Sequence, residues 1–405
     1  MNRLFIIVLI LCVSACSSRK DQPALVLKAD PLQSPADSST ALPFLFTDPS
    51  GSPALSWVEK HADTSRFYFA QYGAGEWSTP RLIAKGSTWF INWADYPMVA
   101  SDGGARWVAH LLNKSGKGTY AYDIQVYTSS DSGARWNAPF TLHDDGKEAE
   151  HGFVSLIPYQ DKLFVTWLDG RNAAMEAGDG MDHSGHHGAM SLRAAVMSYS
   201  GEKLQEWELD SKTCDCCQTT AAITGSGPVV IYRDRSDEEI RDMSIVRLVN
   251  GSWTSPKPIH RDNWKIAGCP VNGPRAAASG NRLAVAWYTA ATEPSHVHVV
   301  FSPDGGETFG AAVSIDEGKA IGRVDLEWID ESRVVVSWME GALIRAAVVD
   351  TDGNREEPLT IAESSDARSS GFPQMTRAGS DLLFAWTDDK LKRVQTAKVS
   401  LTQSQ

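Results

Sequence analysis

The chain has 405 residues, with 50 acidic against 38 basic side chains and a formal net charge of −12. That balance excludes a nucleic-acid-binding footprint, which requires a basic face. The length supplies two or three ordinary domains or one large repeat fold, and cysteines are few, six in all.

The first element is MNRLFIIVLILCVSAC. Arg3 precedes an apolar run from Leu4 to Val13, followed by small residues and Cys16. The run is too short to span a bilayer and reads as a secretory signal over residues 1–15. The residues VSAC resemble the lipobox of bacterial lipoproteins, which implies lipidation of Cys16 and a membrane anchor through that lipid. Ser17, where an Asp would signal retention, implies by the same resemblance the outer membrane of a Gram-negative cell, facing the periplasm or the cell surface. Residues 16–40 then comprise the lipidated cysteine, a polar tether and a short strand, ALVLKA, from Ala24 to Ala29. Residues 41–405 form a single domain, expected to be monomeric.

That domain is built on a repeat. PFLFTDPSGSPALSWV from Pro43 is echoed by PMVASDGGARWVAHL from Pro97, VSLIPYQDKLFVTWL from Val154 and AAITGSGPVVIYR from Ala221. It returns as PRAAASGNRLAVAWY from Pro274, VDLEWIDESRVVVSWM from Val324 and PQMTRAGSDLLFAWT from Pro373. Each copy is an apolar strand, a Gly/Asp/Asn turn and a second strand ending at Trp57, His110, Trp167, Tyr232, Trp287, Trp338 or Trp386. Steps of roughly 50 to 65 residues suit one four-stranded propeller blade. Seven copies favour seven blades, with six and an extra hairpin as the alternative. The last copy leaves room for only three strands, so Ala24–Ala29 is expected to supply the fourth and close the ring.

The second half of a blade is legible twice. DIQVYTSSDSGARWNAPFTL carries Ser129, Asp131, Gly133 and Trp136, and HVHVVFSPDGGETFGAAVSI carries Ser302, Asp304, Gly306 and Phe309. In both, the Asp accepts turn N–H groups, the Gly takes positive φ and the aromatic packs back on the sheet. The spacing S-x-D-x-G-x-x-W/F matches the Asp-box of the bacterial neuraminidase repeat. Residues 41–405 therefore resemble the sialidase-like β-propellers, which implies an all-β ring of four-stranded antiparallel blades. It also implies a ligand face around the axis, on the side carrying the fourth-to-first and second-to-third strand connections.

Four unusual loops map to that face. TCDCCQT leads into the first strand of blade four, and WKIAGCPVNGPR into that of blade five. LDGRNAAMEAGDGMDHSGHHGAM and RDRSDEEIRD connect the second and third strands of blades three and four. Long loops gathered over a rigid scaffold are where binding sites usually form.

Two chemistries follow from their residues. Cys214, Cys216, Cys217 and Cys269, with His183, His186 and His187, offer thiolate and imidazole ligands suited to Cu or Zn. The same four cysteines allow three disulfide pairings, and a Cys269 bridge to the triplet is the easiest. The leading expectation is a binding protein for a soft metal ion or a small ligand beside it. The alternatives are a sialidase-type glycoside hydrolase or glycan-binding propeller, and a partner-binding scaffold. For a hydrolase the resemblance calls for an arginine clamp on a carboxylate, a tyrosine–glutamate pair and an acid/base aspartate. Arg171, Arg233, Arg235, Arg241 and Arg275, with Asn272, are the ligand-binding candidates on the shared face. Arg323 in GRVD is a further candidate for the clamp. The Arg-Ile-Pro motif of the sialidases is absent.

Overall fold

The second strands of the repeats are apolar throughout. In RLAVAWYT (Arg282–Thr289), the stretch from Leu283 to Trp287 is buried without a break. Such a strand needs cover on both sides, which a blade stacked between two others provides. Third strands alternate instead, as in Tyr122–Ser129, because one edge of each blade faces water. The computed structural model describes residues 25–173 and 189–403. They form seven antiparallel sheets arranged as a seven-bladed β-propeller.

Five sheets have four strands, and in four of these the strands follow in simple sequence from the axis outward. In blades one and four the outer edge is split into two short strands, Glu76–Trp77 with Arg81–Gly86, and Ser252–Trp253 with Lys257–Pro258. Blade seven joins both ends of the chain. Leu25–Leu32 pairs antiparallel with Arg393–Gln403, placing Leu27 opposite Leu401 and Pro31 opposite Ala397. The strand expected at Ala24–Ala29 thus runs slightly longer and closes the ring. Closure leaves no inner sheet edge open to another chain.

Apolar packing lies between blades rather than in one central core. One cluster joins Val297 and Val299 of blade five to Leu326, Val336 and Trp338 of blade six. The next joins Val335 and Ile344 of blade six to Phe384, Val399 and Leu27 of blade seven. In the turns at Ser129 and Ser302 the serine hydroxyls donate to Asp131 and Asp304 at 2.9 and 2.8 Å. They also accept from the N–H of Gly133 and Gly306, whose φ values are 77° and 86°.

At the axis, a polar side chain of one blade accepts a backbone N–H from the next. Asp95 accepts from Phe153 at 2.8 Å, Gln218 from Gly273 at 2.9 Å, Asn272 from Arg323 at 2.8 Å and Asp325 from Met375 at 2.7 Å. Glycines make the approach close enough. A Cβ on Gly322, which sits at φ 85°, would overlap Asn272 Oδ1. Gly322→Ala is therefore expected to destabilise the protein by at least ~2 kcal/mol, combining positive-φ strain with a displaced buried amide. Chemical denaturation measures it, and a midpoint equal to that of the unaltered chain would refute the role.

Candidate functional site

TCDCCQT is held on three sides before it enters the first strand of blade four, Thr220–Thr224. Thr213 donates from its backbone and hydroxyl to Met190 O at 2.9 and 3.0 Å. The Cys214 N–H donates to Arg233 O at 3.0 Å. Gln218 crosses the axis, donating to Ala94 O at 2.6 Å while accepting from Gly273. Because the backbone is tied at both ends, the three intervening thiols turn to one point. Cys214 Sγ lies 3.3 Å from Cys217 Sγ and 3.9 Å from Cys216 Sγ.

Cys269 arrives from the loop that leads into blade five and hydrogen-bonds Cys216. Cys214 and Cys217 are buried, Cys216 is half-buried and Cys269 stands exposed at the mouth. All four are free thiols, so the interblade disulfide expected as one option is not formed. Cys214 Sγ stands well beyond the S–S bond length of about 2.0 Å from both Cys216 and Cys217.

Two fully buried arginines stand behind the thiols. Arg241 Nη1 donates to Cys214 Sγ at 3.3 Å and Nη2 to Glu239 at 2.8 Å. Arg233 donates to Asn272 O, Arg241 O and Tyr288 O, and lies 4.8 Å over the Trp264 ring. Burial pushes the Cys214 thiol up. Hydrogen bonds from Cys216 and Cys217, with the charges of Arg233 and Arg241, outweigh it and hold Cys214 well below an ordinary thiol. The hydrogen bond from Cys216 likewise lowers Cys269. Hydrogen bonding to Cys214, Cys217 and Cys269 raises Cys216, and burial raises Cys217.

The exposed, lowered thiol of Cys269 should react first. In the metal-free protein, iodoacetamide at neutral pH is expected to modify Cys269 before the other three, as read by peptide mass spectrometry. Equal labelling of all four would contradict the arrangement.

The other candidate residues are engaged inside the protein. Arg171 grips Asp169 through Nε at 2.7 Å and Nη2 at 2.8 Å. Arg235 bridges Glu239 and Asp215 at 2.8 and 3.0 Å. Asn272 bonds Arg323 N, Ile321 O and Pro270 O. Arg275 contacts Tyr96 Oη and lies 3.8 Å from Asp325. Arg323 is caged by Ser370, Gly371, Asp366 and Ala367, with the Trp93 ring 5.2 Å from its guanidinium. His183, His186, His187 and Cys16 lie outside the described residues.

Two groups of residues escaped the sequence reading because their members come from different blades. Tyr122 Oη donates to Glu150 at 2.8 Å and sits 3.5 Å from Asp95. This is the kind of tyrosine–glutamate pair a sialidase needs, yet Tyr122 is wholly buried and stacks on Phe90 at 4.1 Å. Burial raises Glu150 to about 8 and Asp95 to about 7, although hydrogen bonding with Tyr122 pulls both down. The charges of Asp95, Asp215 and Cys269 add to the rise at Glu150. The second group is two histidines and three aspartates around Asp145; the signal was the density of acid and histidine in HDDGKEAEH, the loop leading into blade three.

No protein-family profile matches the chain, and no curated protein matches it. Solved structures do resemble it. A puromycin-hydrolyzing peptidase of Mycobacterium tuberculosis aligns at a TM-score of 0.50 and 10% identity, over 89% of this chain and 53% of that one. A neuraminidase-like protein from A/bat/Guatemala/164/2009 aligns at 0.48 and 12%, over 95% and 96%. A polysaccharide lyase of family PL25, an ulvan lyase, aligns at 0.49 and 12%, over 76% and 78%. At such identities the likeness concerns the propeller alone.

Proposed function

We propose that this protein binds a soft metal ion, Cu(I) or Zn(II), through Cys214, Cys216, Cys217 and Cys269. The observation that carries the reading is the cluster of Cys214, Cys216 and Cys217, whose Cys214 Sγ lies 3.3 and 3.9 Å from the other two, with Cys269 as the fourth ligand from the neighbouring loop. Zn–S bonds of about 2.3 Å place tetrahedral thiolates about 3.8 Å apart, so these separations suit sulfurs sharing one ion. Charge supports it too. Four thiolates around Zn(II) carry a net negative charge, and Arg233 and Arg241 stand ready to offset it.

Location adds a reason. The leader and Cys16 point to an exported, lipid-anchored protein, and thiols outside the cytoplasm oxidise unless something occupies them. A bound ion keeps the cluster reduced, and the half-buried and exposed thiols at the mouth give it a way in.

The test is metal analysis of protein purified without chelator, paired with mass spectrometry of its cysteines. At least one Cu or Zn per chain, one equivalent of which is released by thiol-blocking reagents, is the expected result. Absence of stoichiometric metal together with fully oxidised cysteines would sink the reading.

A further inference from the structure

Blades two and three hold a second cluster on the same face as the thiols. It consists of Asp123, His143, Asp145, His151 and Asp169. The two imidazoles stack 3.5 Å apart at 7° between two carboxylates. Asp145 caps one side, one oxygen to each ring: His143 Nδ1 at 2.7 Å and His151 Nε2 at 3.1 Å. On the other side His143 Nε2 and His151 Nδ1 face Asp123 Oδ1 at 3.5 and 4.0 Å, and His151 Nδ1 also lies 3.3 Å from the Tyr122 carbonyl oxygen, so that two oxygens and two ring nitrogens meet there.

The Asp145 end is complete. Arg171 lies 3.7 Å from Asp145 and 2.7 Å from Asp169, so a cation already balances those acids. Among the described residues no arginine or lysine pairs with Asp123, which meets only the two histidines. His143 Nε2 is buried without a hydrogen-bond partner, and the His143 side chain is only 2% exposed. With Nδ1 held by Asp145, the second ring nitrogen of His143 is turned, unpartnered, toward the Asp123 carboxylate, an arrangement that a cation lying between them would complete. A carboxylate that fixes the tautomer of a histidine from behind is the usual support of a metal ligand.

We propose that Asp123 Oδ1, His143 Nε2 and His151 Nδ1 form a second metal site, taking a borderline divalent ion such as Zn(II). Two imidazoles and one carboxylate suit such an ion, whereas the thiol cluster suits a softer one. Asp145 positions both rings, one per oxygen. Binding tilts the rings out of their parallel stack, since stacked lone pairs run side by side. Asp123, with its side chain 25% exposed, is the solvent side of the site. This inference stands whether or not the thiol reading does.

The test uses the chain carrying Cys216→Ser and Cys269→Ser, titrated with Co(II) and then Zn(II). One Co(II) per chain lacking the sulfur charge-transfer band is expected, displaced by Zn(II). Adding Asp123→Asn, nearly isosteric and partly exposed, should weaken Zn(II) binding more than tenfold with an unchanged circular dichroism spectrum. His143→Gln should do the same. Co(II) binding seen only with the sulfur band, or undiminished binding in a folded Asp123→Asn chain, would overturn the site. Failure of the thiol reading would show separately, as loss of the sulfur band from the unaltered chain.

Discussion

Cys214→Ser is expected to lower affinity for Cu(I) or Zn(II) by more than ~100-fold, because loss of supporting partners alone typically costs about 10–100-fold. Cys214 is the strongest ligand of the four by environment. Arg241 donates directly to its sulfur, and both arginines stabilise the thiolate. Serine keeps the volume but offers a hydroxyl that stays protonated. Competition against a chromophoric chelator measures the change, and an affinity within about threefold of the unaltered chain would refute the role. Arg241→Met separates positioning from ligation. Without that charge the Cys214 pKa rises, so protons compete with the metal to higher pH. The affinity–pH curve should therefore shift toward higher pH, whereas a merely structural arginine would lower affinity equally at every pH.

Arg233→Met should be the most damaging single change to stability. The arginine is fully buried and donates to three backbone carbonyls, of Asn272, Arg241 and Tyr288, at 2.7 to 3.1 Å. Each orphaned buried acceptor costs about 1–3 kcal/mol. Methionine recovers some of the volume, leaving a net loss of about 3–5 kcal/mol. The carbonyls belong to the loops around the thiols, so metal affinity should fall with stability. A melting temperature within about 1 °C of the unaltered chain would contradict this account.

Ionisation sets a further direction. Glu327, half-buried, is raised to about 8 by burial first and by Asp325 second, while Arg377 and Thr376 oppose the rise. Glu150 is raised to about 8 as well. A carboxyl raised in the folded state contributes stability that is full below its unfolded pKa and is lost as pH rises through the folded value. Stability should thus decline between about pH 4 and 8 from these groups, and Glu327→Gln should flatten that decline.

The propeller was legible residue by residue. Trp57, Trp167, Trp287, Trp338 and Trp386 all fall in second strands, and the strand missing from blade seven was found in the first residues of the domain. Strand periodicity and turn chemistry are local, so they can be read along the chain. The site was legible only in part. Counting which connections share a face brought Cys214 and Cys269 together, because that rule follows from strand alternation alone. It did not show that Arg233 is held by the backbone carbonyls of Asn272, Arg241 and Tyr288.

From sequence alone came the all-β repeat, the seven blades and the ligand-side loops, since each depends on residues close together in the chain. Tertiary structure alone decided that the thiols stand free and close, that Tyr122 is sealed from solvent, and that Asp145 binds two histidines at once. Those outcomes depend on how neighbouring blades meet. Side chains at the ends of different strands approach to a few ångströms only after the ring has closed and set their register.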